Sequence, residues 1–229
     1  MMTTFTHACI SLDRTVFHAI NTGMACNTLD LIMPVITQLG LGGVQACTVL
    51  FLAIILGCRD GIFVSAPGVW AGIKLSIYNK RSWVGPLLVC IIISGITSQV
   101  IKFNVSRQRP WWFYNQEHIA GRQIGYNARI VPGVRPLKVY GFPSGHTATS
   151  FAMATASTIL FGIKRKYRWY VLGAWVVAGL IGFSRIYIAM HWPLDVLGGI
   201  LLGILSGVVS VKICSACAKR KLSQTKGTV

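Results

Sequence analysis

Acidic side chains are scarce in this 229-residue chain: Asp and Glu number five against 22 Lys and Arg, a net charge of +17. So few carboxylates leave no acidic cluster of the kind that holds Mg²⁺, and no thiolate set suits zinc, so neither a metal nor any other cofactor is expected. The seven cysteines are odd in number and define no disulfide framework. CSAC at 214–217 has metal-clip spacing, but no second pair or histidine lies nearby, and two ordinary thiols at a helix end are expected. No signal peptide is expected from these N-terminal residues, because the first apolar residues are interrupted by Asp13, Arg14 and His18. Internal repeats and low-complexity stretches are also missing, which predicts one domain over 28–213, preceded by an amphipathic segment (1–27) and followed by a basic tail (214–229).

What is abundant is apolar. Apolar residues make up 53% of the chain and charged residues 12%, with a mean hydropathy of +0.60. No soluble domain of this size has that balance, and it argues against nucleic acid as the partner of the positive charge. Uncharged runs occupy Leu31–Cys58, Trp83–Ile101, Thr147–Ile163, Trp169–Ser184 and Val196–Val211. Each approximates the roughly 17 to 25 residues that cross a bilayer. The expected fold is therefore all-α: a polytopic membrane bundle of about five to six transmembrane helices. GIFVSAPGVWAGI at 61–73 is short and broken by Pro67 and glycines, which favours an interfacial or re-entrant segment. SLDRTVFHAIN at 11–21 reads as a short amphipathic helix on the membrane surface. In the last run Gly199, Gly203 and Gly207 recur every four residues, a close-packing stripe expected within the bundle.

Basic clusters at Lys80 and Arg81, at 164–168 and at 219–221 are expected on the cytoplasmic side. Alternation of five spans then places the N-terminus, 102–146 and 185–195 together on the outer side. The long connection within 102–146 carries Lys102, Arg107, Arg109, Arg122, Arg129, Arg135 and Lys138 against one acid, Glu117, which suggests an anionic ligand. Seven polar residues from separate regions share that face: Lys102, Arg109, Ser144, His146, Arg185, His191 and Asp195. The cations offer fork and point donors for a phosphate, and Ser144 with the Gly145 N–H adds donors at a helix start, where Ser144 can also serve as N-cap. His191 and Asp195 are four apart, with Pro193 suited to the first helical turn, so the carboxylate can fix the imidazole tautomer and leave the other nitrogen as nucleophile. His146 can then give a proton to a departing oxygen and take one from water. The aromatic run 111–114 suits headgroup depth.

KFNVSRQRP (102–110), PSGH (143–146) and SRIYIAMHWPLD (184–195) together resemble, complete and in order, the three motifs of the type 2 phosphatidic-acid phosphatase superfamily. The resemblance covers about residues 28–212. It implies an all-helical, metal-independent membrane phosphatase in which His191 is phosphorylated, Asp195 orients it and His146 is acid and base. Lys102, Arg109, Ser144, Gly145 and Arg185 would hold the phosphoryl group. Within the family, the arginine surplus favours a diphosphate lipid, undecaprenyl diphosphate first, at the outer face of a bacterial inner membrane. A lipid A 1-phosphatase, a phosphatidylglycerol-phosphate phosphatase or a lipid phosphotransferase is the alternative. A transporter is disfavoured because its charges would lie deep in a pathway.

Overall fold

The structure, a computed structural model, describes residues 2–119, 127–137, 140–162 and 165–226. Arg122, Lys138 and Lys164, counted among the basic residues above, lie outside the described residues. Every element among the described residues is helical: α1 (Met2–Asn21), α2 (Asn27–Gln38), α3 (Gly42–Arg59), α4 (Ile62–Ser65), α5 (Val69–Asn79), α6 (Arg81–Val105), α7 (Pro110–Ile119), α8 (Gly145–Phe161), α9 (Arg168–Tyr187) and α10 (Pro193–Lys226). By length and composition, α3, α6, α9 and α10 are each long and apolar enough to cross a membrane.

At the centre stands α8, packed on α6, α9 and α10. Its 17 residues take in most of the third uncharged run, and its inner faces carry Ala148, Ala152, Ala154 and Ala156, all fully buried. Small side chains let three helices close on a fourth. The contact with α10 is the tightest. A β-carbon added at Gly199, Gly203 or Gly207 would stand 2.7, 2.5 and 2.7 Å from the backbone oxygens of Ser144, Ala148 and Ala152. The glycine stripe thus works inside the bundle, as its four-residue period predicts. Large side chains on the opposite helix faces, among them Leu201 and Leu205 on α10 and Ile92 and Ile96 on α6, point outward and stay exposed, the arrangement an apolar solvent favours.

One segment departs from the sequence-based expectation, and a second takes a form the sequence left open. The uncharged run 31–58 is not one helix, because α2 ends at Gln38 and α3 starts at Gly42. The intervening turn passes Gly40 over the site: a β-carbon there would meet Ile181 Cγ2 at 2.7 Å and His146 Cβ at 3.0 Å. A run defined by the absence of charge does not register this break, since glycine and leucine are both uncharged. The segment 61–73 forms α4 and the start of α5, separated at 66–68. α5 turns back along α3, where the Ser76 hydroxyl donates to the Ala53 carbonyl at 2.5 Å.

α1 is more than a surface helix. Phe17 and Asn21 are fully buried and Asp13 nearly so. Phe17 packs against Trp192 and Tyr114, with ring centroids 5.1 and 6.3 Å away. Tyr114 of the 111–114 aromatic run is therefore buried in this cluster, and the other three rings of the run are half-buried, rather than all lying at a headgroup belt.

Candidate active site

The end of α6, the turn before α7, the start of α8, the end of α9 and the first turn of α10 meet at one end of the bundle. Each terminus is shaped locally. α6 closes on Ser106 with a left-handed φ of 50°. α9 ends where the Arg185 carbonyl accepts the N–H groups of both Met190 and His191, at 3.0 and 3.1 Å. Ala189 in that loop also has a left-handed φ, 56°, and this tight return directs His191 back over the helix ends. Pro193 opens α10, as its missing N–H and fixed φ favour.

Lys102, Arg109, Gly145, His146, Arg185 and His191 line one cavity of about 430 Å³. Arg109 is held by donating from Nη1 to the Met190 carbonyl at 2.9 Å, and the same nitrogen lies 3.5 Å from His191 Nε2. Arg185 is anchored by Nη1 to Thr37 Oγ1 at 2.8 Å, and its buried Nε–H has no acceptor among the described residues. A β-carbon at Gly145 would lie 3.4 Å from Ser98 Oγ and 3.6 Å from Lys102 Nζ, so glycine keeps the floor of the cavity open beneath the lysine. Three cations, the N-terminus of α8 and two imidazoles thus face one small space. That donor set fits a tetrahedral oxyanion. Among the described residues no three His, Cys, Asp or Glu side chains cluster as metal ligands.

Ser144 occupies the N-cap position without the expected side-chain cap. Its fully buried hydroxyl instead accepts from Thr147 Oγ1 at 2.8 Å, and its N–H donates to the Asp195 carbonyl at 2.9 Å. It braces the cavity from behind.

The expected hydrogen bond between His191 and Asp195 is not closed. Nδ1 and Oδ2 stand 3.5 Å apart, and Nδ1 has no hydrogen-bond partner among the described residues. The carboxylate is committed elsewhere: Oδ2 accepts the Trp192 N–H at 3.0 Å and Oδ1 accepts Arg107 Nη1 at 2.7 Å. Arg107 in turn reaches Asp13 of α1, whose other oxygen accepts the Leu194 N–H at 2.8 Å. Asp195 is therefore not alone among acids here. In the sequence Asp13 is a lone carboxylate within the amphipathic stretch 11–21, and nothing near it in the chain marks Arg107 or Leu194 as its partners.

The predicted arginine surplus also needs correction. Besides Arg107, Arg129 is taken by a carboxylate, bonding Asp30 through both Nη atoms at 2.9 Å. Arg129 Nε and N–H also bond the Asn21 carbonyl and side chain, at 3.0 and 2.8 Å, and Tyr187 donates to Asp30 at 2.6 Å. Arg129 first, then Tyr187, holds the Asp30 carboxyl below its ordinary value. Arg135 is exposed, and Arg122 lies outside the described residues. Acids from the N-terminal helices neutralise cations that appear unbalanced within the 102–146 segment alone.

The family model described as the PAP2 superfamily matches residues 83–218. The chain is 30% identical over 169 residues to the undecaprenyl-diphosphatase of Sulfolobus acidocaldarius, covering 71% of this chain and 73% of that protein. It is 28% identical over 173 residues to the glucose-6-phosphatase catalytic subunit 1 of Felis catus, but spans only 44% of that relative's length. The crystal structure of Aquifex aeolicus LpxE superposes with a TM-score of 0.56 at 27% identity, covering 88% of this chain and 95% of that one.

Proposed function

We propose that this chain, which belongs to the PAP2 superfamily, is a membrane lipid-phosphate phosphatase that works through a phosphohistidine, with undecaprenyl diphosphate as its substrate. The observation that carries the reading is the cavity in which Lys102, Arg109, Arg185 and the α8 N-terminus surround His146 and His191. His191 Nε2 attacks phosphorus as the bond to the lipid or phosphate oxygen breaks, and His146 protonates that departing oxygen. Water then attacks the phosphohistidine. His146 takes its proton, the new P–O bond forms and the N–P bond breaks. Arg109, Arg185 and Lys102 stabilise charge on the equatorial oxygens throughout, so no metal is required.

The substrate rests on different support from the mechanism. Ion pairs at Arg107 and Arg129 remove the arginine surplus as an argument for two phosphates, which leaves the 30% identity to an undecaprenyl-diphosphatase. The cavity's position at one end of apolar helices suits a headgroup presented from one leaflet, at the outer face of a bacterial inner membrane. The same position disfavours transport, which needs polar groups along the span.

Phosphate release by the detergent-purified protein in excess EDTA, from undecaprenyl diphosphate, phosphatidylglycerol phosphate, phosphatidic acid and lipid A, tests both parts. Undecaprenyl diphosphate should have the highest kcat/KM. His191→Ala should remove turnover by at least about 10³-fold, and acid quenching of wild type should trap a labelled, acid-labile phosphoenzyme. A tenfold preference for lipid A or phosphatidylglycerol phosphate overturns the substrate, and an active His191→Ala overturns the mechanism.

A further inference from the structure

The geometry points to Arg107 and Asp13 as positioning residues that hold Asp195, and through it His191, in place from the N-terminal helix. The inference rests on the proposed role of His191 as nucleophile. Asp195 is fully buried and the Asp13 side chain is 1% exposed, so two carboxylates are out of water with a single guanidinium between them. Arg107 donates from Nη1 to Asp195 and from Nη2 to Asp13. A planar fork presents one terminal nitrogen to each acid in a fixed geometry, which the flexible lysine ammonium does not.

These contacts decide the orientation of the Asp195 carboxylate. One oxygen is fixed by Arg107 and the other by the Trp192 N–H, so the group cannot rotate, and the second oxygen is the one that faces His191 Nδ1. Gly141 walls the same oxygen from behind: a β-carbon there would lie 2.8 Å from Asp195 Oδ2, and the Gly141 N–H donates to the Arg107 carbonyl at 2.7 Å. Asp13 acts a second time on the same helix end. By accepting the Leu194 N–H it satisfies one of the donors left open in the first turn of α10, the turn that carries Asp195. α1 thus grips the start of α10 at two points, and Phe17 packed on Trp192 adds a third. Arg107 does not line the cavity with Lys102, Arg109 and Arg185. With Asp13 it lines a separate hollow of about 230 Å³ on the α1 side. Its influence on the reaction therefore runs through Asp195 rather than through phosphate.

That separation sets the test. Steady-state rates and the single-turnover rate of phosphoenzyme formation are measured with undecaprenyl diphosphate and with phosphatidic acid in detergent micelles. Arg107→Gln and Asp13→Asn should lower kcat by about 10- to 100-fold with KM within about threefold of wild type. Arg107→Lys and Asp13→Glu should recover part of the loss. Arg109→Lys, in the cavity, should raise KM as well. Should Arg107→Gln fail to fold, Asp13→Asn and Arg107→Lys carry the measurement. Wild-type kcat in Asp13→Asn and Arg107→Lys overturns the inference, as does a KM rise that matches the kcat loss. An Asp195→Asn variant with wild-type turnover would instead refute the proposed site, a result separable from failure of the pair.

Discussion

The Asp30 carboxylate shows how a single residue can be misjudged from its surroundings in the chain. Among its sequence neighbours it is an isolated acid at the start of an apolar run, yet it bonds Arg129, 99 residues away, and Tyr187, 157 away. Because Arg129 holds its carboxyl below the usual value, the charged form is the one the fold favours. The associated stability is present above the unfolded value of about 4 and is lost as pH falls below it. Asp30→Asn should abolish that acid-side loss and lower stability at neutral pH by about 1 kcal/mol, read as a lower Tm in detergent at pH 7 with a flatter profile from pH 5 to pH 3. An unchanged profile would mean that the bidentate bond contributes nothing. The residues lining the cavity were legible because Lys102, Arg109, His146, Arg185 and His191 sit at helix ends whose order and polarity follow from hydropathy. Asp13 and Arg107 were not, since their pairing depends on how α1 docks, and no local pattern encodes that.

At the scale of elements, the spacing of Gly199, Gly203 and Gly207 foretold the closest helix contact, because a four-residue period survives any detail of side-chain packing. The consequence is measurable. At Gly203 a β-carbon would meet the Ala148 carbonyl at 2.5 Å and the Ala152 nitrogen at 3.0 Å, and helical backbone hydrogen-bonded along α8 has nowhere to move. Gly203→Val should destabilise by about 1 to 3 kcal/mol or prevent assembly, whereas Gly179→Ala on α9, with nothing within 4 Å, should be neutral or stabilising. Equal Tm values for the two variants would contradict the packing. The division of 31–58 into α2 and α3 was invisible for the opposite reason. What breaks the helix is the approach of Gly40 to His146 and Ile181, a tertiary demand met by one small residue inside an apolar run.

For the whole molecule, the distribution of apolar runs was enough to anticipate an all-helical bundle, and the order of its motifs was enough to bring three distant segments to one end. Sidedness follows from the basic clusters alone and needs its own measurement. With the other cysteines replaced by serine, Cys214 and Cys217 should react with an impermeant thiol reagent only once the cytoplasmic side is opened, while Asn115→Cys should react from outside. Labelling of both from one side would mean that the turned-back segment around α4 and α5 has been assigned the wrong path. The N-terminal clasp carries one more implication, for the order in which the chain is built. α1 is synthesised before α2 to α10, but the groups that receive it lie far downstream: Arg107 is 94 residues beyond Asp13, and the Leu194 N–H is 181 beyond. Until the start of α10 has been synthesised, α1 lacks the Leu194 N–H and the Arg107–Asp195 pair that complete its seat, so the site can be aligned only after both segments have been made.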